Sequence, residues 1–253
     1  MSTPVAVERL TDVDLPKVGK RSNSMLGMGV TGIVFPIDYD TVVKLARLSN
    51  SVYFDNKSLR DLWTERTIYK RLGSHPRICK YIRDVDRVIV LERLGDSLRK
   101  HLFLLQNDGG RVPPPAQALK WPIQAAEALA YIHTKSVIQG DVGCYNFLLD
   151  SNGDLKLCDF SGSGIDGCDP TVGPGTRPQL WMEPDDWTAS IPSEIFALGS
   201  AIYEIWTTRQ PYHDLSDKEV EERYKHQQFA ELSDIPVDEI IPKMLVSKIH
   251  ICL

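Results

Sequence analysis

Cysteine is scarce in this chain and does not come in pairs. Five cysteines stand at 79, 144, 158, 168 and 252, an odd count with no Cys-x-x-Cys spacing. That argues against a disulfide framework or a thiolate zinc site and points to free thiols in a reducing compartment. A cytoplasmic location is expected, with the nucleus second. No apolar run reaches the roughly 18–20 residues of a membrane span. Residues 1–21 mix charges and prolines without a secretory apolar stretch, so neither export nor a membrane partner is expected. There is no block of like charge, no low-complexity tract and no internal repeat. A net charge of −5, from 29 basic and 34 acidic residues, argues against nucleic acid as the main partner.

What is present is the texture of an ordinary globular protein. The chain has 253 residues, 42% of them hydrophobic and 25% charged, enough to bury one large core or two closely packed lobes. The first third reads as β-rich with one helix. Residues 30–36 and 41–45 are β-branched runs separated by a turn at 38–40. Apolar residues recur at helical spacing over 59–72, stopped by Gly73, and 87–91 is a continuous apolar strand. From Gly95 the texture turns helical. Asp96 or Ser97 can cap a helix carrying Leu98, Leu102 and Leu105, and a buried amphipathic helix is expected over 116–134, with Pro122 marking a late start or a kink. Two short strands, 147–150 and 155–158, flank the turn signal Asn152-Gly153. A loop covers 161–179, and helices are expected near 193–207 and 216–229.

Three constellations carry chemistry. The first is Leu26-Gly27-Met28-Gly29-Val30-Thr31-Gly32-Ile33-Val34, whose glycines 27, 29 and 32 let backbone amides approach phosphates closely. Alone, it equally describes a plain turn. The strand after Gly32 disfavours a dinucleotide-binding fold, in which the glycines open a helix. The second is Val42-Val43-Lys44-Leu45, twelve residues past Gly32. A lysine in an apolar strand either faces solvent or needs a partner for its ammonium. Glu65, on the helix 59–72, is the candidate partner. The third combines Gly140-Asp141-Val142-Gly143-Cys144-Tyr145-Asn146 with Leu157-Cys158-Asp159-Phe160-Ser161. It sets two carboxylates and an amide oxygen on loops beside short strands, a donor set suited to Mg²⁺. Cys158, directly before Asp159, is either a packing residue or a lining residue of the same site.

In order and spacing, these segments resemble the protein kinase superfamily over roughly residues 20–245, in texture a divergent, filamentous-fungal kind. Gly175-Thr176…Trp181-Met182-Glu183-Pro184-Asp185 is similar to the end of a kinase activation segment, and Ser193-Glu194-Ile195-Phe196-Ala197-Leu198-Gly199 to the start of the large buried helix. The resemblance implies an α+β, two-lobed fold: a tail over 1–20, a small β-rich N-lobe with one helix over 21–94, and a larger helical C-lobe over 95–253. It also implies roles. Gly27, Gly29 and Gly32 cover the phosphates of ATP, and Lys44, positioned by Glu65, holds them. Glu92 and Leu94 offer backbone hydrogen bonds to adenine, with Leu91 at the gatekeeper position. Asp141 accepts the proton of the acceptor hydroxyl. Asn146 and Asp159 hold Mg²⁺.

Several positions depart from the pattern. Gln139-Gly140 replaces His-Arg before Asp141, so a phosphorylated activation loop has lost its docking charge and no phosphorylation switch is expected. Gly143 replaces a lysine that assists phosphoryl transfer, and Tyr145 is no evident substitute. Ser161 replaces the glycine of Asp-Phe-Gly, which stiffens a hinge. Glu194 and Asp185 keep charge but change reach. After residue 241 the family's further helix, and an arginine to pair with Asp185, are absent, so a shortened C-terminal lobe is expected. The leading expectation is a monomeric Mg·ATP-dependent kinase of protein substrates, serine/threonine-directed because of Thr176. The alternatives are a pseudokinase, binding nucleotide or scaffolding without transfer, and a small-molecule phosphotransferase of the aminoglycoside or choline type. The last type lacks the activation segment and the buried-helix signature.

Overall fold

The computed structural model describes residues 25–49, 51–85, 87–182, 188–232 and 235–236. Residues 1–24, the Glu183-Pro184-Asp185 stretch and the chain after 236 lie outside these. The expectations for the tail, for a partner of Asp185 and for a shortened C-terminal lobe therefore fall outside the described residues.

Five strands form one antiparallel sheet in the order β1-β2-β3-β5-β4: β1 (Gly27–Met28), β2 (Gly32–Pro36), β3 (Thr41–Ala46), β4 (Tyr81–Val85) and β5 (Val88–Glu92). Lys44 of β3 stands opposite Val34 on one side and Ile89 on the other, so the central strand carries the lysine. The turn before β3 is stabilised by Asp38, whose Oδ1 accepts from the Asp40 and Thr41 amides at 2.8 and 2.7 Å. β4 is an edge strand that the periodicity did not reveal. Its Ile82 and Arg83 face solvent, and the pairing slips between Tyr81 and Arg83, so no alternating pattern marks it.

The helix α1 (Val52–Leu72) packs against β3, β4 and β5. It begins seven residues before the expected start at 59. Val52, Tyr53 and Phe54 are exposed, so the first turns contribute no buried stripe to read. Gly73, at φ +63°, ends it.

The helical region comprises α2 (Leu98–Asn107), α3 (Pro115–Thr134), α4 (Ile191–Thr207) and α5 (Asp217–Lys225). Two short strand pairs accompany these helices: β6 (Val137–Ile138) with β9 (Gly164–Ile165), and β7 (Phe147–Leu149) with β8 (Leu155–Leu157). Buried alanines on both helices, 125, 126 and 128 on α3 and 197 and 201 on α4, allow a close approach. α3 starts at Pro115, where a missing N–H costs nothing, and runs continuously through Pro122 rather than starting late. Its side chains hold the β7–β8 turn: Gln117 and Trp121 donate to the Gly153 carbonyl at 2.8 and 3.0 Å. Capping boxes at Ser190/Ser193 and Ser216/Glu219 start α4 and α5. α5 ends at Lys225, short of the expected 229. Among the described residues no helix is long and apolar enough to cross a membrane.

Candidate active site

The β-sheet and helical regions meet at Lys44. Its side chain is buried, and all three of its ammonium donors are committed: to Glu65 Oε2 at 2.7 Å, Asp159 Oδ1 at 2.8 Å and Ser161 Oγ at 2.8 Å. Burial alone would lower the lysine pKa, but the carboxylates of Asp159 and Glu65 outweigh it and hold the ammonium charged. The solvent-facing reading of Lys44 is thereby eliminated.

Ser161 sharpens an expectation. Beside the expected stiffer hinge, the structure gives it contacts of its own. Its hydroxyl accepts from Lys44 and donates to Glu65 Oε2 at 2.9 Å, closing a ring of contacts around the ion pair. Glu65 is fully buried, and its other oxygen has no partner among the described residues, so the ring supplies what solvation that carboxylate has.

Asp159 sits at φ +58°, an uncommon conformation for a residue other than glycine. The Ser161 amide holds it, donating to Oδ1 at 3.2 Å. Burial opposes its charge, yet Lys44 and Ser161 keep the carboxyl below the usual range. Its side chain is 45% exposed, so an oxygen remains accessible beside the lysine.

Gln139 and Asn146 build the second half. Gln139 is buried and bridges both loops: its Oε1 accepts from the Asp141 amide at 2.6 Å, and its Nε2 donates to the Asp159 carbonyl at 3.1 Å. This departure thus ties Asp141 to Asp159. Asn146 Nδ2 donates to the Asp141 carbonyl at 2.8 Å and approaches Oδ2 at 3.3 Å. With its nitrogen so engaged, the amide oxygen is the atom left for a cation. Burial pushes the Asp141 carboxyl up to about 6, against hydrogen bonds from Tyr145 and Asn146 that lower it. A carboxyl raised toward neutral pH is suitably poised for a base.

Glu194 of α4 anchors the loop from below, accepting from the Gly140 amide at 2.8 Å and meeting His133 Nε2 at 2.5 Å. Gly140 has φ +81°, and a Cβ there would lie 2.7 Å from Pro170 Cβ. Where the resemblance expects an arginine, the chain has a proline of the following segment packed on bare backbone. Arg71 of α1 adds a two-pronged bond to Asp166, both contacts at 2.8 Å.

The remaining predicted residues divide. Gly32 touches the cluster, since a Cβ there would meet Lys44 Cε at 2.8 Å; a Cβ at Gly27 would face open space, and one at Gly29 would stand 3.9 Å from the Gly32 carbonyl oxygen, not against the cluster. Leu91 is buried in the main core. The Glu92 carboxylate serves structure, binding Lys156 Nζ at 2.7 Å and the Lys80 amide at 2.6 Å. The Glu92 amide donates to the Lys80 carbonyl at 2.9 Å. Leu94 differs: Arg93 and Gly95 are pinned to Asp40 and Leu149 at 2.7 and 2.8 Å, while the Leu94 peptide groups have no backbone partner among the described residues. A cavity of about 200 Å³ lies between α1 and β5, by Leu59, Trp63 and Ile89, and none of Lys44, Glu65, Asp141, Asn146 or Asp159 lines it.

Among the described residues no three His, Cys, Asp or Glu side chains converge as a metal cage. The oxygens of Asp159 and Asn146 fit a cation that takes its remaining ligands from water and phosphate, as Mg²⁺ does.

The family comparison agrees with this geometry. A protein kinase domain model matches residues 21–249. A probable serine/threonine-protein kinase of Dictyostelium discoideum is 26% identical over 219 residues, covering 81% of this chain and 23% of its own. The dual specificity mitogen-activated protein kinase kinase hemipterous of Drosophila melanogaster is 30% identical over 218 residues, 80% of this chain and 17% of its own. The serine/threonine-protein kinase RUNKEL of Arabidopsis thaliana is 33% identical over 152 residues, 55% and 11%. The chain thus spans less than a quarter of the length of each of these relatives. With a match across nearly the whole chain, and a buried lysine–glutamate pair set beside Asp141, Asn146 and Asp159, this chain belongs to the protein kinase domain family.

Proposed function

We propose that the domain transfers the γ-phosphoryl of Mg·ATP to hydroxyls of a protein substrate, with serine and threonine preferred. The observation that carries the reading is the Lys44 ammonium, charged and held between buried Glu65 and accessible Asp159. Such a cation, beside a metal-competent carboxylate, is placed to exchange its Asp159 contact for phosphate oxygens. In this reading the cleft lies between lobes of residues 21–94 and 95–253. Gly27, Gly29 and Gly32 cover the phosphates, and the open space at Gly27 leaves room for them. The free peptide groups of Leu94, with the Glu92 carbonyl, receive adenine, and Leu91 closes the back. Asn146 and Asp159 would hold Mg²⁺, which neutralises phosphate charge when bound. Asp141 orients the acceptor hydroxyl and takes its proton. Gln139 keeps Asp141 and Asp159 in mutual register, so its departure from the family pattern does not count against activity.

The test is transfer of radiolabelled phosphate from Mg·ATP to a general protein substrate. Wild type should label it, and Asp141→Asn and Lys44→Met should each fall by at least a hundredfold. Wild type indistinguishable from Asp141→Asn would sink the enzymatic reading. In that event, a melting temperature raised by Mg·ATP would identify a nucleotide-binding module without transfer.

A further inference from the structure

Tyr145 is the polar residue of the catalytic loop to which neither the sequence nor the family pattern gives a task. Its hydroxyl donates to Asp141 Oδ1. Its ring lies over Gly143, where a Cβ would stand 2.5 Å from Tyr145 Cε1, 3.0 Å from Cζ and 3.1 Å from Cδ1. No real side chain tolerates such contacts with a ring held in place. The two residues therefore depend on each other: the ring reaches Asp141 only because residue 143 has no side chain.

The ring is held. The Arg99 guanidinium carbon lies 4.7 Å from its centroid, within cation–π range. Arg99 is fixed in turn by two bonds of 2.7 Å to Glu204, a buried residue of α4. The Arg99 amide also donates to the Cys144 carbonyl at 2.9 Å. A continuous path of contacts runs from α4 through Glu204, Arg99 and Tyr145 to one oxygen of Asp141. The other oxygen, Oδ2, meets among the described residues only the long 3.3 Å contact from Asn146.

We propose that Tyr145 is the positioning residue for Asp141: its phenol clamps Oδ1 and presents Oδ2 to the incoming hydroxyl, replacing by orientation what the missing side chain at 143 would contribute. This rests on the phosphotransfer reading above. A neutral phenol cannot neutralise phosphoryl charge, so its contribution appears in turnover rather than in ATP affinity.

Tyr145→Phe keeps the ring, the Arg99 contact and the packing, and removes only the hydroxyl. Its kcat should fall roughly ten- to a hundredfold, as for loss of one hydrogen bond to a charged group. Its KM for ATP should stay within about twofold and its melting temperature near wild type. Gly143→Ala, which intrudes on the ring, should lower kcat in the wild-type background and add little to Tyr145→Phe, because both act through the same bond. An active wild type with a Tyr145→Phe kcat unchanged overturns the inference alone. So does a fall in kcat matched by loss of thermal stability or by an equal rise in KM. Full additivity of the two substitutions does the same. A wild type no better than Asp141→Asn overturns the phosphotransfer reading and this inference with it, a result distinct from the others.

Discussion

Restoring the family's arginine at position 140 should damage this protein. Gly140 has φ +81°, outside the region L side chains normally adopt, and holding a residue with a Cβ there costs about 1–2 kcal/mol. The Cβ itself would stand 2.7 Å from Pro170 Cβ, 3.1 Å from its Cγ and 3.3 Å from the Val172 carbonyl oxygen. A proline ring cannot swing away as a flexible side chain would, so overpacking adds about 1–3 kcal/mol. The sum is about 2–5 kcal/mol, or a melting temperature lower by roughly 4–20 °C for a chain of this size. Most of this arises at the first carbon, so Gly140→Ala is the cleaner probe and should already show the cost; Gly140→Arg should be no milder. Thermal unfolding of purified protein, followed by circular dichroism, measures it. Pro170→Gly in the Gly140→Ala background should recover the packing part and leave the backbone part. A Gly140→Ala protein melting within about 2 °C of wild type would refute the reasoning. So would a double variant with no recovery, since the loss would then not come from Pro170.

Two further outcomes follow from the same geometry. Ser161→Ala removes the hydroxyl that links Lys44 to Glu65, and one oxygen of Glu65 already lacks a partner among the described residues. It should cost about 1–3 kcal/mol, and Ser161→Gly, though it restores the family residue, should cost no less; an unchanged urea midpoint for both would contradict this. The Cys158 thiol is pushed well above its usual range by burial and donates to the Asn146 carbonyl at 3.2 Å, whereas Cys168 is exposed. Iodoacetamide followed by peptide mass mapping should therefore label Cys168 quickly and Cys158 slowly, with or without Mg·ATP. Fast labelling of Cys158 that nucleotide suppresses would reverse the assignment of this cysteine to packing.

Much of the fold was legible because its elements bury continuous stripes. The run 87–91 and the helical repeat of 116–134 announced themselves through apolar periodicity, and Asn152-Gly153 marked its hairpin through turn chemistry. The first turns of α1 and the whole of β4 did not, because exposed faces and an irregular edge leave no such pattern.

The site divides along the same line. Sequence order alone placed Lys44, Glu65, Asp141, Asn146 and Asp159 as a related set, since short motifs on loops beside strands keep their spacing whatever surrounds them. It could also name the departures at 139, 140, 143, 145 and 161. It could not say what the departures at 139, 140 and 161 do, because they have partners far along the chain: Gln139 on Asp159, Ser161 on Lys44 and Glu65, Gly140 under Pro170. Read in one dimension, each substitution is a lost contact. Only the folded arrangement, which brings residues about 20 to 120 positions apart within hydrogen-bond or van der Waals distance, turns those losses into a different set of contacts around the same five residues.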